Sequence, residues 1–155
     1  MVAESELLER AQAGEEGAFA DLVRPHEQRL RALARGLVHN EQDAEDLTQE
    51  ALLRIYRALP YFQRQASFST WACRILTHVC LDHLRQRRRR PRAEPFMEEQ
   101  RREPPDPRPG PEEMALRVEL RANLRSALAA LPLEQRMVLV LHDVCSFKYR
   151  EIAAI

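Results

Sequence analysis

Seven of the ten prolines of this 155-residue chain fall between Arg90 and Pro111. A stretch so rich in proline and charge, with few apolar side chains, holds neither a helix nor a core. It reads as a linker, semi-extended where the prolines cluster. On either side, long stretches run without Pro or Gly, and no segment alternates apolar and polar residues long enough to need a sheet. The pattern predicts an all-α protein in three parts: a helical domain over 1–90, a flexible linker over 91–111, and a small helical domain over 112–155.

Periodicity places the helices. Leu7, Leu8 and Ala11 share one face of a first helix over Glu4 to Ala13, ended by Gly14. A second, Glu15 to Val38, carries Phe19, Leu22, Val23, Leu30, Leu33 and Leu37 at helical spacing, with Pro25 a kink or a break. Asn40 reads as the N-cap of a third, which runs through Leu47, Leu52, Leu53 and Tyr56 to Pro60. Tyr61 to Ser67 reads as a turn. Ser67 or Ser69 then caps a fourth helix through Trp71, Ile75, Val79 and Leu84, which dissolves in the arginine run. Past the linker come a helix through Met114 to Leu128 and a turn at Leu131-Pro132. A helix around Val138 to His142 follows, then one capped at Ser146 and leading to Ile155.

Apolar residues make up 45% of the chain, enough for a packed core. No apolar run reaches about 18 residues, so no membrane insertion is expected, and the acidic N-terminus lacks a signal-peptide pattern. Three cysteines, an odd number without a framework, point to a reducing cytoplasm.

The formal net charge of zero conceals segregation. Residues 1–60 carry seven basic and twelve acidic side chains, whereas 61–92 carry eight basic and one acidic. A neutral chain can therefore still present a strong local field to nucleic acid or to a basic protein.

Within the third helix Asp43, Asp46 and Glu50 stand at i, i+3 and i+7 on one face, with Glu45 and Gln49 in the neighbouring row. Such a face is either simply solvated or a dock for a basic partner. A carboxylate di-metal site would need a Glu-x-x-His pair on partner helices, and the chain contains none. The turn and fourth helix place Tyr61, Phe62, Phe68 and Trp71 among Arg64, Arg74 and Arg85. Aromatics beside a basic groove hold unpaired bases by stacking plus phosphate contact, while the competing reading makes Phe68 and Trp71 core residues. Cys73 and Cys80 share a helix face roughly 10 Å apart along the axis, too far for a mutual disulfide. No nucleophile–base pair, phosphate loop or zinc motif occurs, so neither catalysis nor a cofactor is expected.

On these residues the chain resembles bacterial RNA polymerase sigma factors of the extracytoplasmic-function (ECF) type. DAEDLTQEALLRIYRALPYF is similar to their region 2.2 and FSTWACRILTHVCLDHLRQRRRR to regions 2.3 and 2.4. LRSALAALPLEQRMVLVLHDVCSFKYREIAAI is similar to the start of region four. The resemblance implies a sigma region 2 helical bundle, a variable linker and a partial region 4 helix-turn-helix domain. It also implies docking of the third helix on the basic β′ clamp helices of core RNA polymerase, through Asp43, Asp46, Leu47, Gln49, Glu50 and Leu53. Arg64, Gln65, Ser67, Phe68, Arg74 and His78 fall in the stretch that such factors use to read and melt the minus-ten promoter element as non-template single strand. Arg85 belongs to the same basic helix. An anti-sigma protein is a further implied partner.

Two departures from the family pattern stand out. Many members carry Asn where this sequence has His78, which alters the donor and acceptor set near a captured base. The sequence given ends at Ile155, within the first helix of the implied helix-turn-helix, before a recognition helix. The rival readings are a stand-alone helix-turn-helix regulator of duplex DNA and a helical metalloenzyme. The aromatic turn beside the basic helix speaks against the first, and the missing ligand motifs against the second.

Overall fold

The computed structural model describes residues 3–89 and 111–155. Among them every regular element is helical: α1 (Glu4–Gln12), α2 (Glu16–Val23), α3 (Glu27–Val38), α4 (Glu41–Ala58), α5 (Phe68–Arg89), α6 (Pro111–Ala130), α7 (Leu133–Cys145) and α8 (Tyr149–Ile152). The expected linker lies outside the described residues except for Pro111. That proline opens α6, where its missing N–H costs nothing.

Local chemistry sets the boundaries. Gly14 (φ +95°) ends α1 in a conformation that side-chain-bearing residues avoid. Pro25 breaks the expected second helix into α2 and α3, through a 3-10 turn over Arg24–His26. His39, left-handed at φ 57°, closes α3, and the Asn40 side chain then accepts from the Asp43 N–H at 2.7 Å to start α4.

Two expectations are corrected. The fourth helix does not dissolve in the arginines but stays helical through Arg89, because arginine is a good helix former and Arg87 is tied to Asp43 at 2.8 Å. Ser146 does not start the last helix. It ends α7 in the left-handed region, and Lys148 is the cap of α8, its backbone N–H donating to Glu151 Oε2 at 2.8 Å.

The core is built from three faces. Leu30, Leu33, Ala34 and Leu37 of α3 meet Ala44, Thr48, Ala51 and Ile55 of α4 and Phe68, Ala72, Leu76, Val79 and Cys80 of α5. Thr48 and Thr77, both buried, donate their hydroxyls to the carbonyls of Ala44 and Cys73 at 2.7 Å, so neither leaves an unmet polar group inside.

The C-terminal segment packs on this bundle through α7. Its Val140 sits so close to Gly36 of α3 that a Cβ at that glycine would lie 2.9 Å from both valine methyls. Arg136 of α7 donates to the Leu37 carbonyl at 2.7 Å, at the C-terminal end of α3 where the helix dipole favours a cation. Gly36→Ala is therefore expected to destabilise by about 1–3 kcal/mol through overpacking, read as a lower midpoint in urea unfolding. Val140→Ala introduced alongside should recover much of it. In contrast, α6 buries none of its residues, and Leu116, Leu120 and Leu124 are 59–67% exposed.

Candidate functional site

Two surfaces on consecutive helices carry the charged residues singled out by the sequence. On α4 the apolar face at Ala44, Thr48, Ala51 and Ile55 is consumed by the core, which turns Asp46, Gln49, Glu50 and Leu53 outward. Leu53 is 53% exposed amid these polar neighbours, an apolar centre with an acidic surround. Glu50 accepts from Arg54 Nε at 2.8 Å, Asp46 from Gln42 at 3.1 Å, and Glu45 from Gln49 at 3.2 Å. Exposed pairs of this kind are worth little and are readily exchanged for a partner's cations.

The two other residues assigned to this face sit on its flank. Leu47 is half-buried against the core. Asp43 is turned toward α5, where its Oδ2 accepts from Arg87 at 2.8 Å and lies 3.3 Å from His83 Nε2.

The second surface begins at the turn between α4 and α5. Gln12 of α1 fixes this turn by donating its side-chain amide to the carbonyls of Leu59 and Phe62 at 3.1 and 3.0 Å. Arg64 adopts a left-handed backbone (φ 56°) and pairs with Glu9 at 3.4 Å. Gln65 is exposed. Ser67 caps α5, its Oγ accepting from the Thr70 N–H at 3.1 Å. Along α5, Arg74, His78, Asp82 and Arg85 follow at i, i+4, i+8 and i+11, a stripe about 16 Å long that is exposed at His78, Asp82 and Arg85 and half-buried at Arg74. Arg85 pairs with Asp82 at 3.6 Å, and Arg74 lies 4.0 Å from Glu151 of α8.

The aromatics divide in a way that composition did not distinguish. Phe68, assigned to nucleic-acid contact, is 2% exposed, so its ring belongs to the core and offers no face to a base. Trp71 is half-buried, stacked on Phe62 at 4.6 Å. His26 packs against Phe68 at 5.4 Å, and burial holds its pKa below the ordinary histidine range. Of the four aromatics in this stretch only Tyr61 faces solvent, at 82% exposure. The sequence already groups Tyr61 with this stretch, whereas the turn-holding Gln12, and Arg29, which donates to Ser69 Oγ at 3.0 Å, are structural supports of the candidate site that it does not indicate. The position of Tyr61 just after Pro60 was a visible signal for it. Gln12 and Arg29 act across long sequence separations that leave none.

Among the described residues no group of three His, Cys, Asp or Glu side chains is placed to hold a metal ion, and no helix is long and apolar enough to cross a membrane.

Comparison with known proteins bears on both surfaces. Residues 22–90 match the family model for Sigma-70 region 2, and residues 121–155 that for Sigma-70 region 4. The RNA polymerase sigma-H factor of Pseudomonas aeruginosa is 32% identical over 160 residues, a match covering 98% of this chain and 81% of that protein. The chain belongs to the ECF sigma factor family.

Relatives that carry the ECF designation agree. The ECF RNA polymerase sigma factor SigE of Mycolicibacterium smegmatis is 41% identical over 137 residues, covering 88% of this chain. The chain spans about half of that relative's length, 52%. Among solved structures, CnrH in complex with the cytosolic domain of CnrY superposes with a TM-score of 0.65 at 27% identity, covering 96% of this chain and 79% of that one. An engineered region 2 of sigmaE in complex with GTAAAA superposes with a TM-score of 0.53 at 33% identity, covering 57% of this chain and 92% of that one. As an ECF sigma factor the protein thus has its acidic α4 face and its arginine-lined α5 stripe within the span of region 2.

Proposed function

We propose that this protein binds core RNA polymerase through the α4 face and captures the unpaired non-template strand of the minus-ten element along the turn and the α5 stripe, so directing promoter-specific initiation. The observation that carries the reading is the presence of two outward faces of opposite charge on consecutive helices, one centred on Leu53 and the other on His78 and Arg85, with half-buried Arg74 at its edge. Basic clamp helices of the polymerase would exchange for the local partners of Asp46, Glu50 and Gln49, which speeds encounter and sets register more than it adds affinity.

On the second face Arg64, Arg74 and Arg85 would neutralise phosphates, while Gln65, Ser67 and His78 supply hydrogen-bonding groups for base edges. Exposed Tyr61 offers a stacking platform, the role withdrawn from buried Phe68. Opening the duplex costs a few kcal/mol per flipped base, least at easily unstacked steps, so melting and sequence choice are coupled. The polymerase supplies the chemistry, and the protein itself works in the cytoplasm as a non-enzymatic specificity subunit. The complex of an engineered sigmaE region 2 with GTAAAA supports the nucleic-acid half of this reading. CnrH bound to the cytosolic domain of CnrY supports a protein partner, here proposed as an anti-sigma factor.

The test is fluorescence anisotropy with labelled single strands carrying every single-base variant of a minus-ten element. Arg74→Ala is expected to weaken all variants alike and to reduce the salt slope by about one. His78→Asn should instead change the ranking of bases at one position. An unchanged ranking removes His78 from the reader, and an unchanged salt slope removes Arg74 from the phosphate path.

A further inference from the structure

The contact between the C-terminal segment and the N-terminal bundle contains two thiols that the reading above leaves without a task. Cys73 on α5 and Cys145 at the end of α7 are 72 residues apart in sequence, yet their Sγ atoms lie 3.1 Å from one another. Both are buried and unbonded to any other cysteine. The same contact between segment and bundle also holds Val140 against Gly36, Arg136 on the Leu37 carbonyl, and Glu151 4.0 Å from Arg74, the residue next to Cys73. A covalent bond at this point would fix all of these contacts together.

We propose that Cys73 and Cys145 form a reversible disulfide in response to peroxide, fastening α7 and α8 to the N-terminal bundle and holding Arg74 under Glu151. The Sγ atoms need to close by only about 1 Å to reach a disulfide bond length of about 2.05 Å. The two thiols are also unlike. The hydrogen bond donated by Cys145 draws Cys73 below the ordinary thiol range, against burial and with help from Arg29 and Ser69. The same hydrogen bond, and burial, push Cys145 upward. Cys73 is thus the attacking sulfur.

Its thiolate attacks one peroxide oxygen. The O–O bond breaks, hydroxide leaves, and Cys73 becomes a sulfenic acid. Cys145 gives its proton to that hydroxide to make water, and its sulfur attacks Cys73 Sγ. The S–O bond breaks, and the departing hydroxide takes up the proton that Cys73 released on ionising, leaving as a second water. Two electrons pass from the two thiols to the peroxide. Entry requires α7 and α8 to lift transiently, a local opening of the contact between the C-terminal segment and the bundle. Cys80 is an internal control, buried alone and pushed up to about 12.

The experiment uses the full chain treated with hydrogen peroxide, alkylated, denatured and digested with trypsin without reductant. Arg74 separates the first two cysteines, so Cys73, Cys80 and Cys145 fall on the peptides 65–74, 75–85 and 137–148. The expected product joins 65–74 to 137–148 within one chain, leaves 75–85 alkylated, and disappears with dithiothreitol. With Cys145→Ser, a dimedone adduct should appear on 65–74 instead. Recovery of Cys73 and Cys145 as alkylated thiols, or linkage to 75–85 or to a second chain, overturns the proposal.

The covering of Arg74 rests on the DNA-binding reading and is measured separately. Single-strand affinity should fall about tenfold on oxidation and return on reduction, as a shift to a closed state predicts. A disulfide with unchanged affinity refutes the covering. A reduced chain that binds no single strand refutes the DNA reading and leaves the disulfide standing.

Discussion

Phe68→Ala lowers the stability of the fold by about 3–5 kcal/mol, the usual cost of deleting a buried aromatic and leaving a cavity. The ring is 2% exposed and lies between His26, Phe62 and Trp71, at centroid distances of 5.4, 6.5 and 6.0 Å. Little around it can collapse into the space. The neighbours are themselves rings held by Phe62–Trp71 stacking and by Gln12, which clamps the carbonyls of Leu59 and Phe62. Urea unfolding followed through Trp71, the single tryptophan, reads the loss directly. Phe68→Leu, which refills most of the volume, should restore the larger part. A Phe68→Ala protein of unchanged midpoint that fails only in capturing single strands would return the ring to the nucleic-acid interface.

Asp46→Ala combined with Glu50→Ala has the opposite profile. Both carboxylates are exposed, and their present partners are Gln42 and Arg54 on the same helix, so the fold should shift by no more than about 0.5 kcal/mol. Binding to core RNA polymerase should weaken by an order of magnitude or more, chiefly through slower association that becomes less sensitive to salt. Stopped-flow anisotropy at two ionic strengths separates the outcomes. Equal association rates for the native and double-mutant proteins would detach the α4 face from polymerase docking. Leu53→Ala is the companion measurement. Its contribution is apolar, so its effect should appear in dissociation and persist in high salt.

What could be read in the residues, and what could not, follows from the range of the interactions involved. The helices of α1 to α5 were legible because their apolar spacing, Gly14, Asn40 and Pro60 act within one or two turns. The division at Pro25 was visible as an alternative, and the 3-10 turn chose between the two forms. Ser146 misled because serine is a common cap. Here its backbone terminates the preceding helix, and the carboxylate of Glu151 supplies the bond to the next. The outward face of α4 was half legible. Spacing grouped Asp43 with Asp46 and Glu50, but Arg87, 44 residues on, pulls Asp43 aside. Likewise no periodicity could tell exposed Tyr61 from buried Phe68, since both stand at the ends of helices and only tertiary packing covers one of them.

The clasp at Asp43 has a mechanical consequence. It ties the first turn of the acidic helix to the last turns of the arginine-rich helix, while the turn held by Gln12 joins their opposite ends. Two antiparallel rods fastened at both extremities form a closed frame and resist sliding along one another. On the proposed reading, one rod is gripped by an enzyme and the other lies along a strand of bases. The frame then works as a gauge of fixed length, setting how far from the enzyme the first opened base must stand, whatever the sequence of that base.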